Sequence, residues 1–100
     1  MQIHLDNIPL LPGVLALAEQ GMVTGASGRN WEGYGHDIAL PAGISSAQQA
    51  LLSDPQTSGG LLVTCAPEAV DQVLACFHSQ GFADARVIGQ MTAGRGVEVL

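Results

Sequence analysis

Residues 1–5 alternate apolar and polar positions and end at Asp6-Asn7, a pattern that predicts a short strand running into a turn. From there the spacing changes. Leu11, Val14, Leu15 and Ala18 recur at helical intervals, Pro12 suits a first turn, and Gly21 supplies a stop. Residues 21–43 are rich in glycine and hold no long periodic run, so only a brief helix is expected, near residues 29–34. Ser45 is placed to cap a helix over residues 46–52, which Asp54-Pro55 ends because proline disfavours helical geometry in its predecessor. The run Leu61, Leu62, Val63, Thr64, Cys65 reads as a buried strand. Pro67 then opens a helix whose Glu68 and Asp71 suit its positive end, whose apolar face is Val70, Val73, Leu74 and Phe77, and whose stop is Gly81. Residues 86–91 and 97–100 read as strands joined by a turn whose Gly94 and Gly96 suit a hairpin. The C-terminal half is therefore β-α-β-β, and the expected class is α+β, a mixed β-sheet covered by helices.

The densest chemistry lies between the second helix and the strand after it. Asp54, Gln56, Thr57, Ser58, Gly59 and Gly60 crowd a carboxylate, an amide, two hydroxyls and two glycines into one turn opened by Pro55. Glycine permits φ > 0 and close approach of a ligand or another backbone, so the turn has the composition of a ligand-facing loop. The same residues also serve a plain turn, in which the hydroxyls bond their own backbone and the glycines only allow a bulge. No lysine follows the glycines, which excludes a Walker-type phosphate loop. A second candidate is Arg29-Asn30, a guanidinium and an amide able to meet an anion. The alternative is an Arg–carboxylate surface pair beside a Trp31 core anchor.

Composition narrows the partners. One hundred residues make at most one small domain, and 47% hydrophobic with 12% charged residues is more apolar material than so small a globule hides. An interface is expected. Nine acidic residues against Arg29, Arg86 and Arg95, with no lysine and a net charge of -6, argue against direct binding of nucleic acid. Cys65 and Cys76 fit neither a redox pair nor a zinc pattern and read as small buried apolar residues of a reducing compartment. His4, His36 and His78 are scattered, and none has a second ligand at metal spacing; Asp54 is the best single acidic candidate, as an Mg2+ ligand or as a loop-ordering side chain. No leader pattern and no apolar run of membrane-spanning length occur, so the chain is expected in the cytoplasm.

The stretch Leu51-Leu52-Ser53-Asp54-Pro55-Gln56-Thr57-Ser58-Gly59-Gly60-Leu61-Leu62 closely resembles the signature of the selenophosphate synthetase (selenide, water dikinase) family. Ile8-Pro9-Leu10-Leu11-Pro12-Gly13, Gly28-Arg29-Asn30 with Tyr34-Gly35, and Ala85-Arg86-Val87-Ile88-Gly89 stand in the order and spacing of that family's C-terminal region, so the similarity covers nearly the whole chain. The resemblance implies an enzyme that makes selenophosphate from selenide and ATP with release of AMP and phosphate, that needs Mg2+, and that works as a homodimer. It also implies the C-terminal domain fold shared with aminoimidazole ribonucleotide synthetase.

The family's N-terminal ATP-binding domain, with its reactive Cys or selenocysteine, a nearby lysine and metal-binding aspartates, has no counterpart here, and Cys65 and Cys76 do not stand in the nucleophile's context. The Asp-Val-Thr-Gly segment that precedes this stretch in the family is missing too. Residues 1–100 are accordingly expected to be one partial C-terminal domain, truncated at its N-terminal end, holding no catalytic residue and no metal ligand of its own. Its expected partners are the N-terminal domain and a second copy. On this reading residues 54–60 face the nucleotide, with Arg29 and Asn30 as further anion contacts, and the fragment alone is inactive. The rival expectations are a piece of another ATP-dependent enzyme of the same superfamily and a noncatalytic association module.

Overall fold

The computed structural model describes residues 1–100. Four helices, α1 (Val14–Glu19), α2 (Gly25–Tyr34), α3 (Ser46–Leu52) and α4 (Val70–Ser79), accompany four short strands, β1 (Gln2–Ile3), β2 (Ile38–Ala39), β3 (Gly89–Gln90) and β4 (Val97–Val99). The strands form one mixed sheet in the order β2-β4-β1-β3, parallel between β2 and β4 and between β4 and β1, antiparallel between β1 and β3. The class is α+β, as the periodicity indicates.

The helix ends follow local chemistry closely. After α1, the Gly21 N–H donates to the Ala18 carbonyl and the Met22 N–H to that of Leu17, with Gly21 at φ 85°. After α4, Gly81 and Phe82 repeat this on His78 and Phe77, with Gly81 at φ 91°. Both are Schellman closures, which only a left-handed residue allows, and the rings of Phe77 and Phe82 meet edge to face at 6.3 Å over the second. At the start of α3, Ser45 Oγ accepts the Gln48 N–H at 3.1 Å while Gln48 Oε1 accepts the Ser45 N–H at 2.9 Å, a complete capping box. Ser45→Ala is expected to cost about 1 kcal/mol, read as a fall of about 5 °C in melting temperature.

Several expectations are corrected by the tertiary arrangement. Residues 61–65 are no buried strand: they run outside the sheet, with Leu61 81% exposed, and their main chain makes no backbone hydrogen bond within the chain. Residues 86–91 and 97–100 are no hairpin either, because β1 inserts between β3 and β4 and takes the bonds of both. The helix expected over residues 29–34 begins at Gly25, since Thr24 accepts the Ser27 N–H and caps it. β2 gives no periodic signal in two residues. Cys65 and Cys76 are free and exposed, not buried. Trp31 is half-buried and lays its indole over Gly35, where an added Cβ would stand 2.7 Å from the ring.

Helices α1, α2 and α3 cluster together, with Ala18 and Ala47 buried, and Val99 is buried in the sheet. No large side chain is completely enclosed. The accessible surface is 7302 Å2, roughly a third more than a folded monomer of this mass exposes. The radius of gyration is 14.5 Å, against about 13 Å for a compact domain of this length. Leu11, Leu61, Leu62, Phe82, Val87 and Met91 are among the large apolar side chains left exposed. No helix is long and apolar enough to cross a membrane.

Candidate functional site

Helices α2 and α3 pack together, and the residues just after α3 fold back onto the N-terminal turn of α2. Asp54 makes this junction. Its Oδ1 accepts the Thr24 hydroxyl at 3.0 Å and the Ser27 hydroxyl at 3.3 Å. Its carboxylate therefore lies at the helix end where unsatisfied N–H groups and the macrodipole favour negative charge. Ser27 is 3% exposed, and its buried hydroxyl is satisfied by this contact. Ser53 Oγ reaches the Ser27 carbonyl at 3.2 Å, and Asn30 Nδ2 donates to the Ser53 carbonyl at 2.9 Å. Five side chains, Thr24, Ser27, Asn30, Ser53 and Asp54, thus fix where the loop leaves α3.

Beyond this anchor the loop is open. Gln56, Thr57, Ser58, Gly59 and Gly60 are exposed, and no main-chain group of residues 55–60 takes part in a backbone hydrogen bond within the chain. Gly59 and Gly60 do not use the left-handed region that their composition allows. A Cβ on Gly59 would meet Gln56 at 3.6 Å, and one on Gly60 would meet nothing within 4 Å. What glycine gives here is clearance and uncovered amides. Arg29 lies in the first half of α2, with Nη1 3.7 Å from the position of a Cβ on Gly25, and makes neither an ion pair nor a hydrogen bond.

Arg29 is thus a free cation on the helix whose capped end holds Asp54, while Asn30 on the next position is engaged with Ser53. Thr24, Ser27 and Ser53 are the residues the sequence pattern did not single out. The hydroxyl at Thr24 three residues before Ser27 is the cap signal that would have found the first two.

Exposed amides, two hydroxyls and a free guanidinium suit the oxygens of a polyphosphate. Nowhere in the chain do three His, Cys, Asp or Glu side chains gather, and Asp54 Oδ1 accepts from two hydroxyls. A separate 410 Å3 cleft beside β2 and β4 has His36, Asp37, Arg95 and Glu98 on its wall. His36 and Asp37 pair there at 3.4 Å, and Gly96 is required where a Cβ would stand 2.6 Å from the Asp37 carbonyl oxygen.

Fold and loop together define an α+β domain with an open mixed sheet and a polar loop presented from a helical cluster. The chain belongs to the family described as AIR synthase related protein, C-terminal domain, whose model matches residues 11–100. Among its relatives, a protein of Paraburkholderia xenovorans named selenide, water dikinase is 56% identical over 100 residues, covering 99% of this chain and 28% of that protein. Proteins of the same name from Burkholderia pseudomallei and Pseudomonas straminea are 62% and 61% identical over 93 residues, 93% of this chain and 26% of each. The chain spans little more than a quarter of the length of the relatives it matches.

Proposed function

We propose that this chain is the C-terminal portion of a selenide, water dikinase, the cytoplasmic enzyme that converts ATP, selenide and water to selenophosphate, AMP and phosphate. Residues 1–100 form one partial domain on this reading, and the ATP-binding domain and the catalytic residues belong to the rest of the polypeptide. The observation that carries it is the loop of residues 54–60, anchored at Asp54 and otherwise free of backbone bonds, in a chain 56% identical to a protein of that name. Gln56, Thr57, Ser58, Gly59 and Gly60 face the nucleotide across the cleft between domains, their N–H groups and hydroxyls donating to phosphate oxygens, and Arg29 adds charge. Asn30 acts through Ser53 and orients the loop. Mg2+ neutralises phosphate charge when bound, and its ligands come from the remainder of the enzyme. The full-length enzyme functions as a homodimer.

The test is a chimera in which this chain replaces the matching stretch of the Paraburkholderia protein. Selenide-dependent AMP formation is expected from the chimera and none from the 100-residue chain alone; turnover by the isolated chain, or a folded chimera without it, would refute the reading. In the active chimera Gly59→Val is expected to lower AMP formation about tenfold, because the branched side chain adds bulk beside Gln56 and covers the loop amides. Unchanged turnover in that variant would remove the loop from the nucleotide. The exposed apolar surface favours one second reading, an association module without catalysis, which predicts a dimer in sedimentation that is indifferent to Mg-ATP.

A further inference from the structure

A concavity of 640 Å3 lies between the apolar face of α4 and the sheet, with Ile3, Leu62, Val73, Leu74, Phe77 and Ile88 on its lining. None of the nine acidic residues lines it, in a chain of net charge -6. Residues 61–65 form one wall. They are exposed, apolar but for Thr64, and without a single main-chain hydrogen bond to the rest of the backbone. Residues 85–91 form another wall, of which β3 pairs only with β1 and is the outermost strand of the sheet. The groove thus combines an apolar floor with two runs of open backbone, residues 61–65 and the outer edge of β3, whose inner edge is bonded to β1.

That combination selects its occupant. A helix or a lipid would cover the apolar side chains but leave both runs of backbone unsatisfied, whereas an extended segment supplies side chains and main-chain bonds together. The surface in excess of a compact monomer is roughly 1,900 Å2, more than twice the about 800 Å2 that one partner buries in a standard protein interface. Relatives carry almost three-quarters of their length outside the matched stretch, so a covering segment is available to them at the high effective concentration of one polypeptide.

We propose that the groove is a β-strand acceptor, filled in the longer protein by an extended apolar segment of the part that this chain does not span, which bonds to residues 61–65 and to the open edge of β3. This rests on the reading of the chain as a portion of a longer dikinase. It adds a consequence for the loop: residues 54–60 run straight into the acceptor wall, so filling the groove fixes the far end of the loop whose near end Asp54 holds.

Hydrogen exchange followed by mass spectrometry on the isolated chain, at two concentrations, and on the chimera tests this. In the isolated chain residues 61–65 are expected to exchange at nearly the rate of free peptide, and in the chimera at least tenfold more slowly. Leu62→Pro and Val63→Pro each remove one N–H that is unbonded in the isolated chain, so both variants should fold there. Because successive N–H groups of a strand point opposite ways, one of the two should abolish the protection in the chimera. An active chimera with fast exchange at residues 61–65 would overturn the acceptor and leave the dikinase reading standing. Slow exchange in an inactive chimera would do the reverse. Protection in the isolated chain would overturn the proposal, assigning the groove to a second copy if it rises with concentration and to mutual pairing of the two walls if it does not.

Discussion

Gly89→Ala abolishes cooperative folding of the isolated chain or lowers its urea midpoint by roughly 2 M, about 3 kcal/mol at the slope expected of a small domain. The reason is geometric. A Cβ at Gly89 would overlap the Gln2 carbonyl and stand 2.9 Å from Ile3 Cα, and both neighbours are backbone that cannot swing aside. β1 and β3 would have to separate, which breaks the pairs Gln2 with Gln90 and Ile3 with Gly89 and the bond from the His4 N–H to the Ile88 carbonyl at 2.8 Å. The side-chain bond from Gln90 Nε2 to Gln2 Oε1 at 2.9 Å would go as well. Since β1 also holds β4, the damage spreads to the central pair of the sheet. Gly60→Ala is the matched control: it meets nothing within 4 Å, its φ is not positive, and its midpoint should not move. An unaltered midpoint for Gly89→Ala would mean that the two strands do not approach this closely.

Asp54→Ala is expected to lower kcat/KM of the active chimera between about tenfold and a hundredfold while leaving its helical content unchanged. Two hydroxyls donate to one carboxylate oxygen, and hydrogen bonds to a charged group contribute about 1.5–3 kcal/mol, or one to two decades in rate if the loop must be held for turnover. The loss has two sources. The loop is released from α2, and the buried Ser27 hydroxyl is left with the Thr24 hydroxyl, 3.2 Å away, as its remaining side-chain partner. Asp54→Asn keeps an acceptor oxygen but no charge, so it should fall between the wild type and the alanine variant. Amide exchange of residues 53–56 should quicken in the order Asn then Ala, a readout that does not depend on the reaction. A full rate with quickened exchange would leave Asp54 as a structural latch only.

Much of the helical architecture was legible in the sequence because helix ends are decided locally. Ser45 with Gln48, Gly21 and Gly81 each act within a few residues, and the structure places their caps where composition indicates. The α+β class and the family follow from periodicity and motif in the same way. The strands were legible only as apolar runs. A run such as Leu61-Leu62-Val63 states that the segment seeks cover, but not from what; here it stays outside the sheet, while the two-residue β2, with no visible pattern, pairs with β4.

The candidate loop could be found from composition, whereas its anchor could not. Asp54 meets Thr24 and Ser27 from thirty and twenty-seven positions away, and no local rule joins residues so far apart. Likewise, an arginine reads the same whether paired or free; packing leaves Arg29 without a partner and ties Arg86 to Asp84 at 3.3 Å.

Sequence alone determined helices α1, α3 and α4 with their stops, the α+β class, the polar loop and the surplus of apolar residues, since each depends on composition or on chemistry within one or two turns of chain. Tertiary structure decided the strand order, the insertion of β1 between β3 and β4, the Asp54 latch and the exposed groove beside α4. Those features are set by which distant backbone edges meet. What favours one strand pairing over another is packing against the neighbours it meets, so the choice falls to sterics such as the absent side chain at Gly89 and to whatever surface is there to be covered.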